Sequence, residues 1–262
     1  MEARTLLVAL VVFASGCAHT GTNPGDTSID KSKGLEVTEF KIADKTLKPG
    51  QQSVITLTLT NHHTGKISIE DISLYNTGFL KVGERSCSPQ EIKPARKGYA
   101  PQMECSWTVK APEGIQGFKS KPLTMQLNLA YRSSLTNKKE PMQVLFKPVT
   151  GIEERSKVKH SFSNGEVRAV VSYENPVAME GGLVSFDIKD AGPGRVDSSY
   201  RINYRPEQVF SDCPDKLEPV HGDQAIFTCE VVSDSRSTRN LVFSTYYKYV
   251  KAPSLDVEVV RP

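Results

Sequence analysis

Residues 123–131 read LTMQLNLAY, and every second position from Leu123 to Tyr131 carries a large apolar side chain. A period of two places alternate side chains on opposite faces of a β-strand, whereas an amphipathic helix needs apolar residues three and four positions apart. Residues 53–60 (SVITLTLT) alternate in the same way. Comparable short runs, separated by Pro, Gly, Asn and Asp, occur at residues 35–42, 67–75, 103–109, 142–147, 167–173, 183–189, 198–204, 225–232, 241–250 and 255–260. The sequence therefore predicts an all-β protein built from antiparallel β-sandwiches.

The same order of features occurs twice along the chain, which indicates an internal duplication. In each half a strand-like run begins fifteen residues before a glycine, which is Gly50 in the first half and Gly182 in the second. An alternating strand, a pair of cysteines, a long alternating strand and a short final strand then follow in both halves. We expect two tandem β-sandwich domains at residues 35–149 and 167–262, joined by a charged linker at 150–166 that has the pattern of one short strand.

The chain contains five cysteines, and four of them fall at matching places in the two halves. Seventeen residues separate Cys87 from Cys105, and fifteen separate Cys213 from Cys229. Matched cysteine pairs in an exported protein form disulfides, so we predict one bond within each pair. A zinc site is the alternative, but it requires closely spaced Cys or His ligands that these separations do not supply.

The N-terminus has the pattern of a secretion signal. Nine apolar residues at 6–14 (LLVALVVFA) follow a charged start, and this run is too short to cross a hydrocarbon core of about 30 Å. The tetrad ASGC at residues 14–17 resembles the lipobox of prokaryotic lipoproteins, with alanine where that pattern usually has leucine. The resemblance implies that residues 1–16 are a cleaved lipoprotein signal peptide and that Cys17 carries a diacylglycerol that anchors the protein in a membrane.

Residues 17–34 have the composition of a flexible tether. They are rich in Gly, Thr, Ser and Asp, and Ile29 is the one bulky apolar side chain among them. Such a segment cannot bury a core of its own. We therefore expect an extracytoplasmic protein held on the membrane by its lipid, either at the cell surface or, in a bacterium with two membranes, on the outer membrane.

The net charge and the apolar content each exclude one class of protein. The formal net charge is +3 and 38% of the residues are hydrophobic. A dedicated nucleic-acid-binding domain is usually clearly basic, and a disordered chain has fewer apolar residues. We expect a folded protein with no nucleic-acid partner.

Two stretches resemble known surface modules. The KPG sequence at residues 48–50, followed by an alternating strand to Asn61, looks like the opening of the Ig-like and CARDB-like modules of prokaryotic surface proteins. Residues 105–112 (CSWTVKAP), together with residues 131–134 (YRSS), look like disulfide-bearing β-sandwich repeats of secreted archaeal proteins. The second half departs from this pattern, with EGG at residues 180–182 in place of KPG. The resemblance implies an Ig-like architecture and no particular activity, because such modules serve as spacers, adhesins and assembly subunits.

The sequence lacks the motifs that usually carry catalysis. It contains no G-x-S-x-G, H-E-x-x-H, Walker loop or C-x-x-C sequence. We predict a protein without catalytic residues, metal ligands or a cofactor. His62 and His63 are neighbours in a predicted turn, where their side chains would point to opposite sides, and we interpret them as solvated loop residues.

One loop has the composition of a binding surface. Residues 94–101 (PARKGYAP) place two cations and an aromatic ring, Arg96, Lys97 and Tyr99, within a loop closed by the first cysteine pair. These three residues form a candidate partner-binding loop, and a solvated loop without a ligand is the alternative interpretation.

A second aromatic group belongs to the core by its spacing. In the run from Phe243 to Tyr249, alternation places Phe243, Tyr247 and Tyr249 on the buried face and leaves Tyr246 outside. We therefore do not expect this run to be a binding site.

These observations together predict a non-catalytic, lipid-anchored surface or envelope protein. It would mediate binding or assembly through the loops of its β-sandwiches, with an unknown protein or an envelope polysaccharide as its partner. A structural spacer or stalk is the alternative. An accessory component of an extracytoplasmic enzyme or transport complex is a further alternative.

Overall fold

The computed structural model describes residues 33–113, 120–152, 154–197, 199–219 and 224–260. The predicted signal peptide, Cys17 and the tether up to residue 32 lie outside the described residues. Within the described ranges the chain consists of β-strands and two short 3-10 turns, and it has no helix long and apolar enough to cross a membrane. The predicted fold class is confirmed, because the protein is all-β with antiparallel sheets and one disulfide in each half.

Most of the longer strands coincide with the alternating runs of the sequence, but the strand at residues 81–88 and five strands of two residues were not predicted. The strands are β1 Leu35–Ile42, β2 Thr46–Leu47, β3 Gln52–Asn61, β4 Ser68–Tyr75, β5 Lys81–Ser88, β6 Gln102–Lys110, β7 Ser120–Thr136, β8 Met142–Lys147, β9 Ser156–Ser163, β10 Val167–Asn175, β11 Val177–Ala178, β12 Gly182–Asp190, β13 Arg195–Val196, β14 Tyr200–Arg205, β15 Phe210–Ser211, β16 Lys216–Leu217, β17 Gln224–Val231, β18 Ser237–Lys251 and β19 Ser254–Val260. The 3-10 turns are Val149–Gly151 and Glu207–Val209.

Each half contributes one outer sheet. In the first half four antiparallel strands have the order β1-β3-β6-β5. In β3 the side chains of Ile55, Leu57 and Leu59 are fully buried on the inner face, and the intervening threonines face outward. Alternation along the strand thus gives this sheet one apolar and one polar face.

The outer sheet of the second half has five strands in the order β15-β17-β12-β10-β9. Its edge strand, β9, lies within the segment 150–166 and pairs with β10 from Ser156 to Ser163. The short strand suggested by the sequence of that segment is therefore present, and the structure makes it part of a sheet.

A third sheet of ten strands is built from both halves. Its centre is the antiparallel pair of the two longest strands, in which residues 129–136 of β7 lie opposite residues 244–251 of β18. β4 lies on the free edge of β7, and β14 lies on the free edge of β18. The two halves therefore share one continuous central sheet.

The final strand of each half pairs with the long strand of the other half. β19 continues in line with β18 along the same edge of β7, from Ser254 opposite Gln126 to Val260 opposite Ser120. β8 pairs in the same manner with residues 237–241 of β18. The proposed division into domains at 35–149 and 167–262 stays a prediction, but strand pairing crosses it in both directions.

Each disulfide ties an outer sheet together locally. Cys87 of β5 and Cys105 of β6 are direct cross-strand neighbours with an S–S distance of 2.05 Å. Cys213, in the loop after β15, is bonded to Cys229 of β17. The bonds close short loops, which restricts the unfolded chain and so stabilises the folded one.

The aromatic run of β18 follows the predicted alternation. Phe243, Tyr247 and Tyr249 are buried, and Tyr246 is exposed. Phe243 packs edge-on against Phe186 of β12, with ring centroids 5.6 Å apart, and so joins the central sheet to the second outer sheet.

Candidate functional site

A buried polar cluster joins the two halves, and the Glu166 carboxylate lies at its centre. Glu166 is 0% exposed and occupies the turn between β9 and β10. Its carboxylate accepts hydrogen bonds from the backbone N–H of Leu35 at 2.9 Å and from the hydroxyls of Tyr131 and Tyr247. The Nε2 atom of His63 lies 2.8 Å from the same carboxylate. We call this group, with Asn164, Ser133 and Lys251, the seam cluster.

The turn that carries Glu166 is fixed by the preceding asparagine. The Asn164 side-chain oxygen accepts from the N–H groups of Glu166 and Val167, at 3.2 and 3.0 Å. Its amide nitrogen donates to the carbonyl of Ser134 and to the hydroxyl of Tyr247, at 2.9 and 2.6 Å. The Asx turn therefore attaches the β9–β10 hairpin to both long strands of the central sheet.

A close backbone approach places β1 against this cluster. Gly34 has a φ of +63°, and a Cβ atom added there would lie 2.7 Å from Oε1 of Glu166. Only glycine fits this space and this left-handed backbone without strain. The N–H of Leu35 is thereby bonded to Glu166, and its carbonyl accepts from the buried ammonium of Lys251.

The electrostatics of the seam cluster are governed by burial and by the His63–Glu166 pair. Burial on its own would raise the pKa of Glu166, but the hydrogen bond and charge of His63, with the donors Tyr131 and Leu35, hold it below the ordinary value. Burial, reinforced by the carboxylate, raises the pKa values of Tyr131 and Tyr247 well above normal. Burial also lowers the pKa of Lys251. At neutral pH the carboxylate is thus ionised and the tyrosines are neutral donors.

Ser133, His63 and Glu166 are the residue types of a hydrolase triad, but their geometry is different. In a triad the acid holds one ring nitrogen of His and the serine is bonded to the other. Here Ser133 Oγ lies 3.3 Å from Nε2 of His63, the same atom that contacts Glu166. Ser133 and His63 are only 5% and 6% exposed. The serine is neither activated nor accessible, so the cluster holds strands together.

Sequence reasoning missed this cluster. His63 is buried, so its interpretation as a solvated loop residue was wrong, and the neighbouring His62 is bonded to Glu36 at 3.0 Å. A local pattern does not show that a turn residue will meet a strand from the other half of the chain. The one usable signal was a carboxylate directly after Asn164-Gly165 and directly before an apolar strand.

A groove opens beside the seam cluster along the free edge of β1. It has a volume of about 760 Å³. One wall is formed by residues 36–40 of β1, and the other by residues 191–193 and 251–253. Asn61 lies opposite Leu35 in β3, and its N–H is bonded to the carbonyl of Pro101 and so points away from β1. Leu35 and Asn61 therefore form a pair without mutual backbone hydrogen bonds, and the backbone groups of alternate residues of β1 face the groove.

The predicted partner-binding loop forms a tight hairpin tip. Arg96 and Tyr99 exchange two backbone hydrogen bonds of 2.9 Å, and Gly98 between them has a φ of +75°. Arg96, Lys97 and Tyr99 are exposed, and Tyr99 is exposed by 63%. The structure therefore brings the three side chains to one protruding tip.

The base of this hairpin is fixed to the first outer sheet. The N–H of Ala95 donates to the carbonyl of His63 at 2.7 Å, and the side chain of Asn61 donates to the carbonyl of Lys93 at 2.8 Å. The tip is thus held by the same segment that enters the seam cluster.

No metal centre is visible in the part of the chain that the structure describes. Within those residues there is no group of three or more His, Cys, Asp or Glu side chains arranged to hold an ion. The buried groups of the seam cluster bond strands to one another, and the exposed side chains of the hairpin tip can contact a partner.

Comparison with known proteins identifies no family for this chain. No protein-family model matches the chain, and no curated protein matches it. Among solved structures, the collagen adhesin CNA from S. aureus is 11% identical, with a TM-score of 0.16, over 88% of this chain and 94% of that chain. The Enterococcus faecalis MSCRAMM ACE is 9% identical, with a TM-score of 0.17, over 90% of this chain and 98% of that chain. Likenesses at these scores support no inference about function. Fold and site define the class as an all-β, disulfide-bonded protein in which two sandwiches share a central sheet.

Proposed function

We propose that the chain is a non-catalytic, extracytoplasmic surface or envelope protein that binds or assembles with a partner through exposed loops and is anchored by a lipid on Cys17. Two disulfides favour an oxidising compartment outside the cytoplasm. The anchor rests on the lipobox-like residues 14–17.

One observation carries the binding role. The buried polar residues of the seam cluster bond strands to one another. Arg96, Lys97 and Tyr99, in contrast, are exposed together at the tip of a hairpin with a fixed base. A fixed loop loses little conformational entropy on binding, and an exposed aromatic ring beside two cations is suited to a protein or polysaccharide surface.

The anchor and the loop can be tested in the same system. We expect the full chain to sediment with membranes and Cys17→Ser to remain soluble. The triple variant Arg96→Ala/Lys97→Ala/Tyr99→Ala should lose most of the binding of the full chain to isolated envelope fragments. Lys41→Ala/Lys45→Ala/Tyr75→Ala also removes two cations and one tyrosine, from other exposed positions of the first half, and should bind normally. Sedimentation of Cys17→Ser would contradict the anchor, and normal binding by the loop variant would contradict the role of the loop.

A spacer is the second candidate, and the central sheet favours it. β18 and β19 lie end to end along β7, so strand pairing between the two halves extends along this long strand from Ser120 to Thr136. Failure of the wild-type chain to bind any envelope fraction would favour this role over binding.

A further inference from the structure

A straight row of arginines lies on the exposed face of the central sheet in the second half. β13 and β14 both pair with the same edge of β18. The pairs are Arg195 opposite Val250, Arg201 opposite Tyr246 and Arg205 opposite Val242. The three β18 positions are four residues apart, which is about 14 Å in an antiparallel strand. We call Arg195, Arg201 and Arg205 the arginine row.

The arginine row is available for a ligand. All three side chains are exposed, and none forms an ion pair with a described residue. Lys216 lies directly opposite Arg201 on the other side of β14, and Tyr246, 46% exposed, completes this rung of the sheet. The rung therefore sets an aromatic ring and two cations side by side.

Three acids on this face already form ion pairs with other cations. Asp197 lies 2.9 Å from Lys248, and Glu70 is bonded to Arg132 and lies 3.8 Å from Lys248. Lys216 has a longer contact of 3.5 Å with the exposed Glu218. The carboxylates nearest the centre of the sheet thus neutralise its central cations and leave the arginine row uncompensated.

The fold itself does not require this row. In the first half, β4 pairs with β7 as β14 pairs with β18 in the second. The residues of β4 that face the same side are Ser68, Asp71, Ser73 and Tyr75. An equivalent strand therefore forms without any cation, which points to a ligand as the reason for the arginines.

We propose that the arginine row, with Lys216 and Tyr246, binds a linear anionic polysaccharide; this deepens the proposed binding role and rests on it. Guanidinium groups pair with carboxylate or sulfate in a bidentate manner, and cations spaced evenly along one edge of β18 match an extended polymer with repeated charges. Nucleic acid belongs to another compartment.

The test uses the full chain in mild detergent and immobilised polygalacturonate, a linear carboxylated polysaccharide, with neutral dextran as the uncharged comparison. We expect saturable binding to polygalacturonate that weakens as salt is raised, and no binding to dextran. Arg201→Ala/Arg205→Ala should weaken the binding at least about tenfold, since two charge-assisted contacts are lost.

The matched control is Arg168→Ala/Lys189→Ala. These two cations are also exposed and directly opposite each other, but they lie on the outer sheet of the second half. The control removes the same charge and should bind as the wild type does. Equal loss in both double variants would show attraction by net charge alone and would overturn the proposal.

Three other results would also overturn it. They are absence of binding to polygalacturonate, equal binding to dextran, and binding only to poly-L-glutamate or to phosphatidylglycerol vesicles. Envelope binding by the wild type that is unchanged in Arg201→Ala/Arg205→Ala would reject this site while leaving the broader binding role intact. Thermal unfolding of each variant shows that the fold is preserved, because all four substituted side chains are exposed.

Discussion

Glu166 shows how one residue can connect distant parts of the chain. It contacts Leu35 from the start of the first half, His63 from the end of β3, and Tyr131 and Tyr247 from the two central strands. A fully buried carboxylate is tolerated only when its hydrogen-bonding capacity is satisfied, and these four donors satisfy it.

Replacing Glu166 by Gln should destabilise the whole molecule. Glutamine has nearly the same shape as glutamate but lacks the charge that faces His63. Its amide nitrogen is a hydrogen-bond donor, whereas the carboxylate oxygen that it replaces is an acceptor. We expect the free energy of unfolding at pH 7 to fall by about 3 kcal/mol, the usual cost of breaking a buried pair. Urea unfolding measures this change. Glu104→Gln, at an exposed position of β6, should change the value by less than about 0.5 kcal/mol, and a similar loss there would contradict the assignment.

The contribution of Glu166 should depend on pH in one direction. Its pKa in the folded protein lies below the ordinary 4.5, so its stabilisation is complete above that value and is lost as pH falls through the folded pKa. The difference in unfolding free energy between wild type and Glu166→Gln should therefore shrink as pH falls from about 5.5 towards 3. Urea titrations at several pH values measure it, and a difference that persists unchanged at pH 3 would argue against an ionised, paired Glu166.

At the scale of elements, the exchange of final strands follows from the connections that precede them. Only Ala252 and Pro253 separate β18 from β19, and the carbonyl of Pro253 accepts from the N–H of Leu127 in β7. A two-residue hairpin turn needs a positive φ at its first central residue, which Ala252 disfavours, so the chain does not reverse here and β19 continues along β7. The five residues between β7 and β8 likewise carry the chain onward along β18.

Removal of β19, which belongs to the second half of the sequence, should destabilise the first half of the molecule. A chain ending at Lys251 removes the strand that pairs with residues 120–126 of β7 and deletes Leu255, Val257 and Val259, which are buried. At about 1.5–3 kcal/mol for each side chain, we expect a loss of more than about 4 kcal/mol. The fluorescence of Trp107, the single tryptophan and a residue of the first half, measures the transition.

The control for this truncation is Asp256→Asn, a change on the exposed face of the same strand. It should leave the transition midpoint of Trp107 close to that of the full chain. An unaltered Trp107 transition in the truncated chain would mean that the pairing of β19 with β7 does not stabilise the first half.

At the scale of the whole molecule, the shared sheet makes the two halves interdependent. The pair of long strands forms the centre of a ten-stranded sheet, and the seam cluster fixes the two outer sheets to it. Duplication of sequence thus need not produce two units that fold independently.

Separate halves should therefore fold poorly alone and associate when mixed. A chain of residues 33–149 lacks β19, and a chain of residues 154–260 lacks β8. We expect neither to give the cooperative unfolding of the full chain under oxidising conditions, and an equimolar mixture to recover it as a heterodimer. Size-exclusion chromatography and circular dichroism measure this. If either half alone unfolds at the same midpoint as the full chain, the two halves are independent domains and this prediction is wrong.

The sequence by itself determined most of the longer β-strands, their buried faces and the one disulfide in each half. These features depend on local alternation and on cysteine positions, as the burial of Tyr247 and Tyr249 beside the exposed Tyr246 shows. Only the tertiary structure decided that β8 and β19 exchange places, that His63 and Glu166 meet in a buried seam, and that three arginines line up on one face. The reason is physical: strand pairing between residues more than a hundred positions apart depends on which edges the whole fold leaves open, and a local pattern cannot specify that choice.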